Sequence, residues 1–166
     1  MPMTRIPFMS VPEAIPAGFF AAAARPAVVL VTEKYVREHL ARWPTDAPPV
    51  DTSLTVRRIV GAALQAGLST RDVASGVALG VLRAMRDCGE EMLDPALLRR
   101  TAAAVIAAVT DHGGAVRDGV DGILDAATRI ADTMNVDSSP AIAAAGVGIV
   151  DALGEEMRVI EEMRVI

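Results

Sequence analysis

Residues 116–134 read VRDGVDGILDAATRIADTM. Val116, Val120, Ile123, Ala127, Ile130 and Met134 are spaced four, three, four, three and four residues apart. At 3.6 residues per turn that spacing gathers all of them on one side of an α-helix. A half-buried strand would need apolar residues at every second position, and the run lacks that alternation. The polar side carries Arg117 and Arg129 against Asp118, Asp121, Asp125 and Asp132, a solvated face of acidic balance. The segment therefore predicts an amphipathic helix whose seam suits close antiparallel or intersubunit packing.

The same period recurs on both sides of it. Upstream, Asp94 followed by Pro95 is an N-cap with proline in the first turn. Leu98, Ala102, Val105 and Val109 form the apolar face of that helix, and Gly113-Gly114 stops it. Further upstream, Thr52 or Ser53 opens a helix carrying Leu54, Ile59, Val60, Ala63 and Leu64 to a stop at Gly67. Ser69 with Asp72 three residues on resembles a capping box. The helix it opens runs through Val73, Val77, Val81, Ala84 and Met85 and ends near Gly89. Downstream, Ser139 and Pro140 open a last helix with Ile142, Gly146, Ile149, Leu153, Met157 and Ile160 on one stripe. Residues 51–166 thus predict an all-α, Ala-rich antiparallel bundle of about five amphipathic helices joined by short loops.

Residues 1–50 differ in kind. Prolines stand at positions 2, 7, 12, 16, 26, 44, 48 and 49, and every aromatic residue of the chain lies here: Phe8, Phe19, Phe20, Tyr35 and Trp43. Proline forbids one long helix. One helix is expected, capped by Thr32, with Tyr35, Val36, His39, Leu40 and Trp43 on a face, and ended by Pro44. Val28 to Val31 reads as a short extended run, Pro12 to Ala24 as a second short helix, and residues 46–51 as a linker. Large aromatics tend to dominate interfaces. The segment either wraps the bundle or serves as an arm that docks a partner through Phe8, Phe19, Phe20, Tyr35 and Trp43.

Two kinds of internal similarity bear on packing. Arg57-Arg58 and its Ala-rich continuation recur at Arg99-Arg100, 42 residues on, and Val73-Ala74-Ser75-Gly76-Val77 resembles Val116-Arg117-Asp118-Gly119-Val120, 43 residues on. A duplicated helical hairpin explains both, each copy needing a neighbour to bury its face. Gly76 and Gly80 form a small-residue pair one helical turn apart, and residues 143–148 are similarly small. Such positions let helix backbones approach closely. The chain ends in a tandem, residues 155–160 and 161–166 both reading EEMRVI. A six-residue period is out of step with the helix, so the two copies face different directions.

Composition narrows the function classes. Of 166 residues 52% are hydrophobic but only 3% aromatic, and 22% are charged. The apolar material is Ala, Val, Leu, Ile and Met, and a chain of this size buries roughly 70% of its unfolded surface. The net charge of -5 argues against a protein that binds nucleic acid by neutralising phosphates. The longest apolar stretch, residues 14–31, is broken by Pro16, Arg25 and Pro26, so no ordinary transmembrane helix is expected. Pro7, Pro12, Glu13 and Pro16 fit a secretory signal poorly. A cytoplasmic location, with membrane or granule association as its variant, is the expectation.

The chemical motifs are sparse. Cys88 is the single cysteine and His39 and His112 the only histidines. Cys88 falls near a predicted helix C-terminus, where the dipole raises a thiol pKa. No C-x-x-C, Glu-x-x-His or phosphate-cradling glycine pattern occurs, so no catalytic residue, metal or cofactor is expected. Residues 66–74 resemble the first helix of bacterial helix-turn-helix DNA-binding domains. The residues that follow, Ser75 to Leu82, are apolar and run straight on, where those domains need a turn and a basic recognition helix.

These readings converge on a non-catalytic accessory or scaffold protein. It is expected to self-associate through its helical body and to dock a larger protein complex through the aromatic segment. The residues proposed for helix or subunit packing are Gly76, Gly80, the 116–134 seam, Leu153, Met157 and Ile160. The alternative is an amphipathic coat on a membrane face or storage granule, and the acidic polar faces weigh against anionic lipid.

Overall fold

Six α-helices account for most of what the computed structural model describes, residues 25–42, 52–87 and 93–164. They are α1 (Arg25–Ala41), α2 (Ser53–Gln65), α3 (Thr70–Asp87), α4 (Pro95–Asp111), α5 (Val116–Thr133) and α6 (Ser139–Arg164), with no strand among the described residues. The expected helix over Pro12 to Ala24 and the linker at residues 46–51 lie outside them.

The starts and stops are largely those the local chemistry dictates. Asp94 Oδ1 accepts the Ala96 N–H at the head of α4, and Ser69 Oγ accepts the Asp72 N–H at the head of α3, 3.1 Å away. Three turns share one backbone closure. In each, one N–H reaches back five residues and the N–H before it reaches back three. Leu68 and Gly67 bond to Ala63 and Leu64, Gly114 and Gly113 to Val109 and Thr110, Val136 and Asn135 to Ala131 and Asp132. The closure needs a left-handed residue past the helix end. Gly67 (φ +86°), Gly113 (φ +72°) and Asn135 (φ +54°) supply it.

One segment departs from expectation. Val28 to Val31 is helical, because α1 begins at Arg25 with Pro26 in its first turn, where proline's missing N–H costs no hydrogen bond. Thr32 accordingly lies inside the helix and caps nothing. Its hydroxyl donates to the Val28 carbonyl oxygen at 2.8 Å, which satisfies it in a fully buried position.

The helices pack in two rows. The odd helices stack α1 on α3 on α5, the even ones α2 on α4 on α6, and each helix also touches the next in the chain. That is how helical repeat arrays build a core, from hairpins that each contact only their neighbours. α3 sits in the middle and is buried all round from Val73 to Leu82. A single apolar core runs through all six helices, with Val28, Val36, Val60, Val77, Val105 and Ile123 among its members.

Glycines mark where the odd helices meet. A Cβ placed on Gly76 would lie 2.8 Å from Val28 Cβ and 3.1 Å from the Arg25 carbonyl oxygen, and one on Gly80 would lie 2.5 Å from Thr32 Cβ. One on Gly122 would collide with the Arg71 carbonyl oxygen and Ala74. The order of these contacts makes α1, α3 and α5 run parallel.

It also gives the repeat its true length. Gly122 meets Arg71 and Ala74 as Gly76 meets Arg25 and Val28, and every one of these pairs is 46 residues apart. The Gly67 and Gly113 turns keep the same spacing. The offset of 42 to 43 read from residue types is therefore corrected. α4 has 17 residues against 13 in α2, so the Arg57/Arg99 match at the helix starts falls four residues short of the match at the turns. The 43-residue similarity of Val73–Val77 to Val116–Val120 lies past the turns and pairs positions that are not equivalent. In the correct register Arg-Asp-x-x-x-Gly occurs at residues 71–76 and 117–122, and Arg37, Arg83 and Arg129 are equivalent.

Candidate functional site

The parallel stacking of α1, α3 and α5 leaves a groove along the odd row, of about 780 Å³. Its apolar floor comes from Val29, Leu79 and Ile130, exposed Leu30 stands on the α1 wall, and its rim carries Arg25, Arg83, Arg86 and Arg129 against Glu33 and Asp132. An acidic protein thus has a basic groove. Repeat arrays characteristically bind through such elongated surfaces. Arg83 makes no ion pair among the described residues, and the nearest partner of Arg86 is its neighbour Asp87 at 3.6 Å.

One carboxylate ties the three helices together at this groove. Asp125 Oδ2 accepts from Arg129 Nε at 2.8 Å, from Ser75 Oγ at 3.0 Å and from an Arg25 guanidinium nitrogen at 3.4 Å. Partial burial by itself would raise the Asp125 pKa. The hydrogen bonds from Arg129 and Ser75 and the charges of Arg129 and Arg25 outweigh it and hold the pKa below the usual aspartate value. A carboxylate whose folded pKa is depressed stabilises the fold above its unfolded value of about 3.9, and that contribution fades as pH falls through the lower folded value. Asp125→Asn is expected to lower stability by about 1 kcal/mol at pH 7, since the pairs are partly exposed. The gap from the parent should narrow on acidification, read as urea midpoints at pH 7 and pH 3. An equal gap at both pH values would show that shape rather than charge matters there.

The residues singled out by sequence fall in different places. Phe8, Phe19, Phe20 and Trp43 lie outside the described residues. Tyr35 is on α1, partly buried against the core. Gly76 and Gly80 lie at the α1–α3 contact. On α5, Ile123, Ala127 and Ile130 are buried, Val116 and Val120 are half-buried, and Met134 is exposed past the helix end. Gly119, Gly122, Ala126 and Ala131 complete the buried side of α5. Asp125, which the spacing alone places on a solvated face, is half-buried and bonded to two other helices. The part of its signal that lies in the sequence is the i,i+4 spacing to Arg129 on the same helix face; Ser75 and Arg25 come from two other helices.

α6 is apolar on two sides. Its inner side packs Ala141, Ala145, Gly148 and Ile149 into the core, with Leu153 half-buried beside them. A Cβ on Gly148 would strike the Arg99 carbonyl oxygen, whereas Gly146 and Gly154 have nothing within 4 Å. Close backbone approach in the small-residue run therefore belongs to Gly148. The outer side shows Ala143, Val147, Val150, Gly154 and Met157, spaced four, three, four and three residues apart and all exposed. Val150 is 69% exposed and Met157 57%. No residue beyond Ile149 is buried on α6, so its last three turns stand clear of the body, with Ile160 and Met163 also exposed.

Among the described residues no three His, Cys, Asp or Glu side chains gather as metal ligands would. Cys88 is outside them, and His112 caps α4 with its ring against Gly61. Ser75 to Leu82, where a DNA-reading helix would begin, are buried within α3. No helix among the described residues is long and apolar enough to cross a membrane. Compared with protein-family models, with curated proteins and with solved structures, the chain matches none.

Proposed function

We propose that this chain is a non-catalytic helical accessory protein. It self-associates through the outer face and free end of α6 and docks a larger protein complex through the aromatic segment from Phe8 to Trp43. The observation that carries the reading is the outer stripe of α6. On that side α6 presents Val147, Val150 and Met157 to solvent, in line with exposed Ala143 and Gly154. A contiguous exposed apolar strip of this kind marks an interaction surface. Its heptad-like spacing favours a protein surface as the partner.

The coat reading is less well supported. A helix lying on anionic lipid wants Lys and Arg along its polar face, whereas the free end of α6 carries Glu155, Glu156, Glu161 and Glu162.

Substituting both Val150→Glu and Met157→Glu is expected to lower the solution mass to that of a monomer. Both sites are exposed, so helicity and melting temperature should change little. Light scattering beside circular dichroism makes the measurement. A parent chain that is already monomeric, or a variant that keeps the parent's mass, would remove the self-association reading.

A further inference from the structure

We infer that the free end of α6 from one copy of this chain seats in the Arg-rimmed groove of a second copy, so that subunits join head to tail. The inference rests on the self-association reading and names the surface that receives α6.

The end of α6 is poorly made for pairing with itself. Arg158 is already engaged within the helix, by Glu155 at 2.5 Å and Glu162 at 3.6 Å. Glu156 and Glu161 make no ion pair among the described residues, and they flank the Met157 and Ile160 strip. Two such ends side by side would bring like charges together, which opposes association. A receiving surface should be apolar at its floor and basic at its rim. The groove has that character, with exposed Leu30 on its α1 wall and Arg83 without a partner on α3. Its volume of about 780 Å³ is within the range that buries a substantial ligand, about 300–1,000 Å³.

The groove of the same molecule is out of reach. α6 is one continuous helix of 26 residues, about 39 Å long at 1.5 Å per residue. It starts six residues after Thr133, which lines one end of the groove. Residues 155–164 therefore lie about 24 Å or more along a rigid rod from that point. Insertion must be into a neighbour. An interface between two different surfaces closes into a ring or a reciprocal pair, or propagates as a filament, according to the rotation between subunits.

The test is charge reversal at exposed Arg83, Arg86 and Glu161 and half-buried Glu156, read by light scattering and sedimentation at low and high salt. Arg83→Glu with Arg86→Glu removes the basic rim, and Glu156→Lys with Glu161→Lys reverses the helix end. Each pair alone is expected to weaken association by about 30-fold or more. All four substitutions in one chain should restore it. A mixture of the two reversed chains should also assemble, since the acidic rim of the first meets the basic end of the second and the basic rim of the second meets the acidic end of the first, whereas each chain alone pairs only like charges. Assembly of the parent should weaken with salt. If the parent assembles but neither reversal changes its mass, the groove is not the receiver, although α6 can still be the contact. If the parent is monomeric, this inference and the self-association reading fall together.

Discussion

Replacing Gly80 by leucine should cost about 3 kcal/mol, at the upper end of overpacking penalties, and lower the melting temperature by about 10 °C. A side chain there has nowhere to turn. Its Cβ alone would come within 2.5 Å of Thr32 Cβ and 2.8 Å of the Val29 carbonyl oxygen. The second of these atoms belongs to the backbone of α1 and cannot rotate aside. Relief requires α1 to lift off α3, which opens the contacts of buried Val28 and Val36. Gly154→Ala is the control with opposite sign. Nothing lies within 4 Å of that position, so the substitution should raise stability by about 0.5–1 kcal/mol through helix propensity. Paired thermal and urea melts check both. Equal effects at the two glycines would refute the close α1–α3 approach.

A chain that begins at residue 51 is expected to lose its cooperative melt. Removing α1 strips Val28, Val29, Val31 and Val36 from the core, each at most 6% exposed. At about 1.5–3 kcal/mol per buried valine their joint loss, about 8 kcal/mol, is comparable with the whole stability of a domain this size, about 5–15 kcal/mol. The cut also bares one side of α3, a helix that no face of the array leaves to solvent between Val73 and Leu82. Calorimetry and hydrogen exchange on residues 51–166 against the full chain decide it. A melt as sharp and as hot as the parent's would show that α1 is an appendage to the array and not a part of it.

Of residues 1–50, α1 packs into the core through Val28, Val29, Val31 and Val36. Its role sits uneasily with proline-rich flanks that read as a separate segment. Pro26 misled because proline breaks a helix in its interior yet is accommodated in its first turn. The valine run after it has strand-like composition, and burial against Gly76 and Gly80 outweighs that preference. β-Propensity is mostly a record of packing context.

The fold class, the bodies of α2 to α6 and most of their ends were legible in residue order alone. They depend on interactions within a few positions: Asp94 and Pro95 at one helix start, Gly67 and Gly113 past two helix ends, and the four-three spacing from Val116 to Ile130. Such signals act along one helix and need no neighbour. What the tertiary structure alone decided is everything that depends on which helix lies against which. Gly80 and Gly154 are the same residue in the same kind of helix, and only the approach of α1 makes one indispensable and the other a weakness. Asp125 is one of several aspartates on a polar face until Ser75 and Arg25 are brought to it from two other helices. The outer stripe of α6 is as apolar as its inner side, and only the packing of α4 and α5 on the inner one tells the two apart. Periodicity records how many faces of a helix avoid water, but only packing determines which of those faces has found a partner.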